Sequence, residues 1–110
     1  MKLPQSLFET VTWHDEPVEE HPGETGTSFW RTRTLGDVRL RMVEYSAGYL
    51  ADHWCDRGHV LFVVDGELTT ELRDGREHRL TRGMSYHVSD DGDAAHRSRT
   101  QTGATLFIVD

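Results

Sequence analysis

The sequence predicts one all-β domain, a sandwich or a barrel, and three observations carry that prediction. From Thr27 onward the chain runs as short stretches of alternating or continuous apolar residues. Glycine- and aspartate-centred turn signals separate these stretches at the spacing of roughly 8–12 residues typical of such folds. No stretch shows the 3.6-residue period of a helix. The length of 110 residues supplies one core and leaves too little chain for a second.

Residues 1–26 carry six acids against one base and are interrupted by Pro17, Pro22, Gly23 and Gly26. They are expected to lie as an acidic arm on a barrel formed by residues 27–110, with one short strand around Val11–Trp13. Ser28–Leu35 reads as the first barrel strand and Gly36-Asp37 as a two-residue turn. Val38–Tyr45 alternates, with Val38, Leu40 and Met42 on one face and Arg39 and Arg41 on the other, as a half-buried strand does. Val60–Val64 is a continuous apolar run closed by a turn at Asp65-Gly66. Glu67–Leu72 and Arg76–Leu80 flank Asp74-Gly75, a type I′ hairpin signal. Gly83 precedes Met84–Val88. An acidic turn, Ser89–Asp93, leads to Ala95–Thr100, and Gly103 separates this from Thr105–Val109. The count is about nine strands.

Composition excludes several classes of function. Acids number 19 against 12 bases, a formal net charge of −7. That balance argues against a nucleic-acid partner, because affinity for phosphate backbones needs clustered positive charge. No membrane partner is expected either, since no run approaches the roughly 18 apolar residues of a spanning helix. Cys55 is the single cysteine, so no internal disulfide forms. The first residues lack the apolar stretch of a secretory signal, and a cytoplasmic location is expected. There is no nucleophile elbow, phosphate-cradling loop or dinucleotide fingerprint. Asp90, Asp91 and Asp93 around Gly92 imitate part of a calcium loop. They lack its downstream glutamate and flanking helices and read as a solvated turn.

The chemistry concentrates in Gly48–Gly66, which reads GYLADHWCDRGHVLFVVDG. His53, Cys55 and His59 are separated by even intervals, so an extended segment would turn all three toward one face. A bend at Gly58 would bring His59 within reach of the other two. His96, on a later strand, is the fourth candidate. Imidazole nitrogen suits zinc, nickel, copper and iron, and thiolate favours the softer of these. Taken singly, each has an ordinary reading as a satisfied histidine or a small buried cysteine. His14, His21 and His78 read as solvated, and His87 as either. Trp54, between two ligand candidates, should point away from a metal and pack outside. Tyr86 shares parity with Met84. Facing inward it would be the candidate catalytic proton donor, and otherwise it is a core tyrosine. Tyr45 and Tyr49 flank Gly48, near an expected barrel mouth.

The spacing of these residues resembles the motifs of the cupin superfamily. Gly48 leads His53-Trp54-Cys55, which stands where the first cupin motif has H-x-H. His59 occupies the glutamate position and Gly66 the closing glycine. Gly83, Ser89, Gly92, His96 and Thr100 follow the second motif. More narrowly, Asp52-His53-Trp54-Cys55 with Arg57-Gly58-His59 looks like the small single-domain cupins named for a DHCW-type motif, which have no assigned reaction. The resemblance implies a cupin-type β-barrel (a double-stranded β-helix or jelly roll). It also implies a divalent transition metal on His53, Cys55, His59 and His96, a small-molecule ligand and a homodimer. Cys55 for histidine and His59 for glutamate exchange a hard ligand for softer ones, which moves the preference from iron toward zinc, copper or nickel, zinc first.

Two functional classes follow. In the first, His53, His59 and His96 hold the metal, Cys55 stands beside an open position, and the protein is a small-molecule metalloenzyme of oxygenase, isomerase or lyase type. In the second, all four residues close a tetrahedral site, and the protein is a non-catalytic metal- or ligand-binding module. A third reading makes Cys55 a redox-sensing thiol.

Overall fold

The computed structural model describes Leu3, residues 8–91 and residues 95–110. Gly92 and Asp93, part of the expected acidic turn and second motif, lie outside the described residues. A one-turn 3-10 helix, Trp13–Asp15, precedes eight strands: β1 Glu19–Pro22, β2 Thr27–Leu35, β3 Val38–Tyr45, β4 His59–Leu72, β5 Glu77–Thr81, β6 Ser85–Val88, β7 His96–Arg99 and β8 Ala104–Val109. All pairings are antiparallel, in the order β1-β2-β3-β8-β4-β5, with β6 and β7 also paired to β4.

The first half of β4 pairs with β6 and β8, and its second half with β5 and β7. The change of partners falls at an irregularity between Val63 and Asp65. Asp65-Gly66 is therefore not the turn that the sequence suggests but a bulge within one 14-residue strand. Gly66 has φ +81°, and a Cβ there would lie 2.2 Å from the Gly103 carbonyl oxygen. This close approach, rather than a chain reversal, is what demands glycine. It also explains why eight strands stand where about nine are expected.

The hairpins follow their turn residues. Gly36 has φ +59° and joins Leu35 to its partner Val38 in two residues. At Asp74-Gly75 only the glycine has positive φ, and the Leu72 N–H donates to the Arg76 carbonyl. The loop is thus three residues long rather than type I′. In the lead segment no strand forms around Val11–Trp13. The Asp15 and Glu16 N–H groups close a 3-10 turn onto Thr12 and Trp13, and the Trp13 ring stands edge-on to Phe107. The strand of this region is β1, an edge strand with little burial, so it carries no alternation that periodicity could detect.

The core is Val43, Leu61, Val63, Leu68, Leu80, Ala104, Leu106 and Ile108. Each fully buried Leu, Ile or Val contributes about 1.5–3 kcal/mol relative to exposure. On β3 the inward stripe is Arg39, Arg41, Val43 and Tyr45. The half-buried Leu40 and Met42 face the other way. The arginine face of this strand therefore looks into the barrel. No helix among the described residues is long and apolar enough to cross a membrane.

Candidate metal and ligand site

One end of the barrel holds a cavity of about 160 Å³, and all four candidate ligands, His53, Cys55, His59 and His96, line it together with Tyr86. Strand alternation does not bring them there. Residues 51–54 and 56–58 are loop, and Cys55 makes an isolated antiparallel bridge to His96. Each donates its N–H to the other's carbonyl at 2.8 Å. A directly paired couple of this kind projects both side chains from one face. Gly58 lets the loop return to β4. A Cβ there would lie 2.5 Å from the Asp90 nitrogen, and the Gly58 N–H donates to Asp90 Oδ1 at 2.6 Å. The expected bend at Gly58 is a close backbone approach, and the aspartate turn supplies its acceptor.

His59 begins β4 and His96 begins β7. Their rings stand 4.9 Å apart at 84°, and His96 is buried. His59 Nε2 and the Tyr86 hydroxyl share a hydrogen bond of 2.8 Å. Burial, the neighbouring His96 ring and the charges of Arg41 and Arg57 hold His59 down to about 4, against the opposing pull of Asp110. It is therefore neutral at pH 7, the form that ligates a metal or accepts a proton. Burial raises the Tyr86 phenol well above its ordinary value and keeps it protonated. Tyr86 thus faces inward, as its candidate role requires.

The other two candidates have different engagements. His53 is exposed, and its Nδ1 pairs with Asp52 at 2.6 Å. Cys55 Sγ accepts the Arg57 N–H at 3.4 Å. As donors, three imidazoles and a thiol suit a borderline ion such as zinc in kind. In position, His59 and His96 form a side-by-side pair with Cys55 opposite His96. Among the described residues no three His, Cys, Asp or Glu side chains are grouped so as to hold one ion. The Asp52 contact uses only Nδ1 of His53, so a third ligand comes if the loop carries His53 Nε2 toward the pair. Trp54 is absent from the cavity lining and stacks on the guanidinium groups of Arg97, at 4.5 Å, and Arg73, at 5.5 Å.

Sequence reasoning missed a second group in the same cavity. The Asp110 side chain is 1% exposed and accepts from Arg39 Nε at 3.2 Å, Arg39 Nη2 at 2.7 Å and Arg41 Nη2 at 3.2 Å. Arg57 Nε stands 3.4 Å from the same oxygen. Burial alone would raise the Asp110 carboxyl, but the hydrogen bond from Arg39 and the charges of Arg41, Arg39 and Arg57 bring it below its ordinary value. Arg41 also stacks on Trp30, its guanidinium carbon 4.4 Å from the ring centre. The available signal was the excess of four arginines over two acids in residues 27–45, on a strand where two of them alternate with apolar residues.

No protein-family model matches the chain, and no curated protein sequence does. Solved structures do. An RmlC-like cupin from Shewanella frigidimarina is 19% identical over 99% of this chain and 92% of its own, with a TM-score of 0.71. HppE in its Fe(II) form is 15% identical over 98% of this chain and 62% of its own, with a TM-score of 0.75. Ectoine synthase from P. lautus is 22% identical over 74% of this chain and 62% of its own, with a TM-score of 0.61. The fold of this chain is the cupin jelly roll.

Proposed function

We propose that the protein is a metal-dependent cupin acting on a small molecule, with His59 and His96 as the paired metal ligands, His53 completing the set and Cys55 beside an open position. The observation that carries this reading is the His59–His96–Tyr86 cluster: two adjoining imidazoles, one of them held neutral by burial, beside a protonated phenol in one cavity. Cupin-fold enzymes among the similar structures, including HppE with Fe(II), lend it further support. A metal bound there would supply Lewis-acid polarisation of a substrate oxygen. Tyr86 holds a proton beside that position, and its hydrogen bond fixes the His59 ring. Leu61 and Ile108 exclude water from below. In this reading Cys55 stands beside an open coordination position, its Sγ accepting the Arg57 N–H.

Elemental analysis of untagged protein tests this. The expected result is close to one transition metal per chain, lost in His59→Ala and His96→Ala and retained in Cys55→Ser. Loss of both metal and several degrees of Tm in Cys55→Ser would favour the closed, non-catalytic module instead. Metal content unchanged in the two histidine variants would overturn both readings.

A further inference from the structure

The arginine end of the cavity is overbuilt for its one acid. Arg39, Arg41 and Arg57 all converge on the Asp110 carboxylate. Arg39 already pairs with it through two nitrogens, which satisfies a carboxylate in the usual fork arrangement. Arg41 is 6% exposed, and its Nε has no hydrogen-bond partner among the described residues. Among the described residues the Arg57 guanidinium has one ion pair, the 3.4 Å contact with Asp110. Arg97 also lines the cavity, but Glu71 and the Trp54 ring engage it. Three guanidinium groups share one carboxylate here, the buried Arg41 among them, and positive charge in excess at a partly buried point is costly. A ligand that brings the missing charge would resolve the cost.

We propose that Arg57 and Arg41, set in place by Asp110 and Trp30, form an oxyanion-recognition site, and that the small molecule bound beside His59 and His96 carries a carboxylate or phosphate group. The assignment rests on the reading of this cavity as a ligand site and names the chemical class it accepts. Guanidinium groups match both oxyanions through paired N–H donors. Arg41, Arg57 and Asp110 line the same cavity as His59 and Tyr86. A molecule anchored by its anionic group at the arginines would therefore place its remaining atoms toward Tyr86 and His59. Trp30, stacked on Arg41, stiffens that guanidinium before any ligand arrives.

Calorimetric titration with inorganic phosphate and with acetate, each against potassium chloride at equal ionic strength, tests the site. The protein is used both as purified and after chelator treatment. The expected result is saturable binding of at least one oxyanion to both preparations. Arg57→Gln should weaken it about tenfold, the loss of one charge-assisted hydrogen bond. Arg57 is half-exposed, so this variant should fold, and Arg79→Gln, on the exposed β5, should bind like the parent protein. No saturable heat above chloride would overturn the proposal, as would unchanged binding in Arg57→Gln or binding abolished by the chelator. Metal content measured on the same samples separates the two readings. Oxyanion binding without metal removes the metal and keeps this site, whereas full metal with no oxyanion binding does the reverse.

Discussion

On β3, β8 and β4, Val43, Leu106 and Val63 stand in one register across the barrel, each 0% exposed. The next inward level along the same strands is Arg41, Ile108 and Leu61, with Tyr86 opposite Leu61. At the level beyond, Arg39 pairs with Asp110 through their backbones, and His59 begins β4. Three strands thus pass from a dry layer to an ionised one within four residues. The dry layer is self-sufficient, because its side chains need only be packed. The ionised layer is held by mutual pairing and contains more donor capacity than it uses, as a layer adapted to an added ligand would.

Substitutions at the two levels should separate these kinds of interior. Leu106→Ala leaves a cavity in the closed layer and should cost about 4 kcal/mol, read from urea unfolding, while the surviving folded fraction still binds metal and oxyanion. Asp110→Asn should cost about 3 kcal/mol, because it strands three arginines at a buried acceptor. The acid limb of the same measurement sharpens the contrast. The folded carboxyl of Asp110 lies below its unfolded value of about 3.9, so its stabilisation is complete above that pH. It is lost as pH falls through the folded value, so the gap between parent and Asp110→Asn should narrow below about pH 4. No such narrowing is expected for Leu106→Ala. Tyr86→Phe removes one hydrogen bond from His59 and should cost about 1 kcal/mol, with any catalytic effect far larger than the structural one. Phe62→Ser, on the outward face of β4 where Phe62 is 42% exposed, should change stability by no more than about 0.5 kcal/mol.

The dry layer was the legible one. Alternation and apolar runs located β2, β3, the first half of β4 and β8 to within a residue or two, although on β3 the alternating apolar residues Leu40 and Met42 face outward. Spacing also picked out His59, His96 and Tyr86, which the fold gathers. Three things escaped. β1 is an exposed edge strand and has no period to read. Asp65-Gly66 has the composition of a turn, while its glycine answers a contact with Gly103 that is remote in sequence. The inward face of β3 was the arginine face, a burial that makes physical sense only beside Asp110, 69 residues from Arg41. Long-range charge pairing has no local signature. His53, by contrast, pairs with Asp52, its neighbour in the chain.

The central claim is that the ionised layer is where this protein does its chemistry. An anomalous-difference map from crystals of the protein loaded with zinc, recorded at the zinc absorption edge, tests it most directly. The predicted result is one peak in the cavity, within about 2.0–2.1 Å of a nitrogen of His59 and of His96, with His53 turned in as a third ligand. A peak only at exposed histidines such as His14 or His78, or no peak in the cavity of zinc-saturated protein, would contradict it.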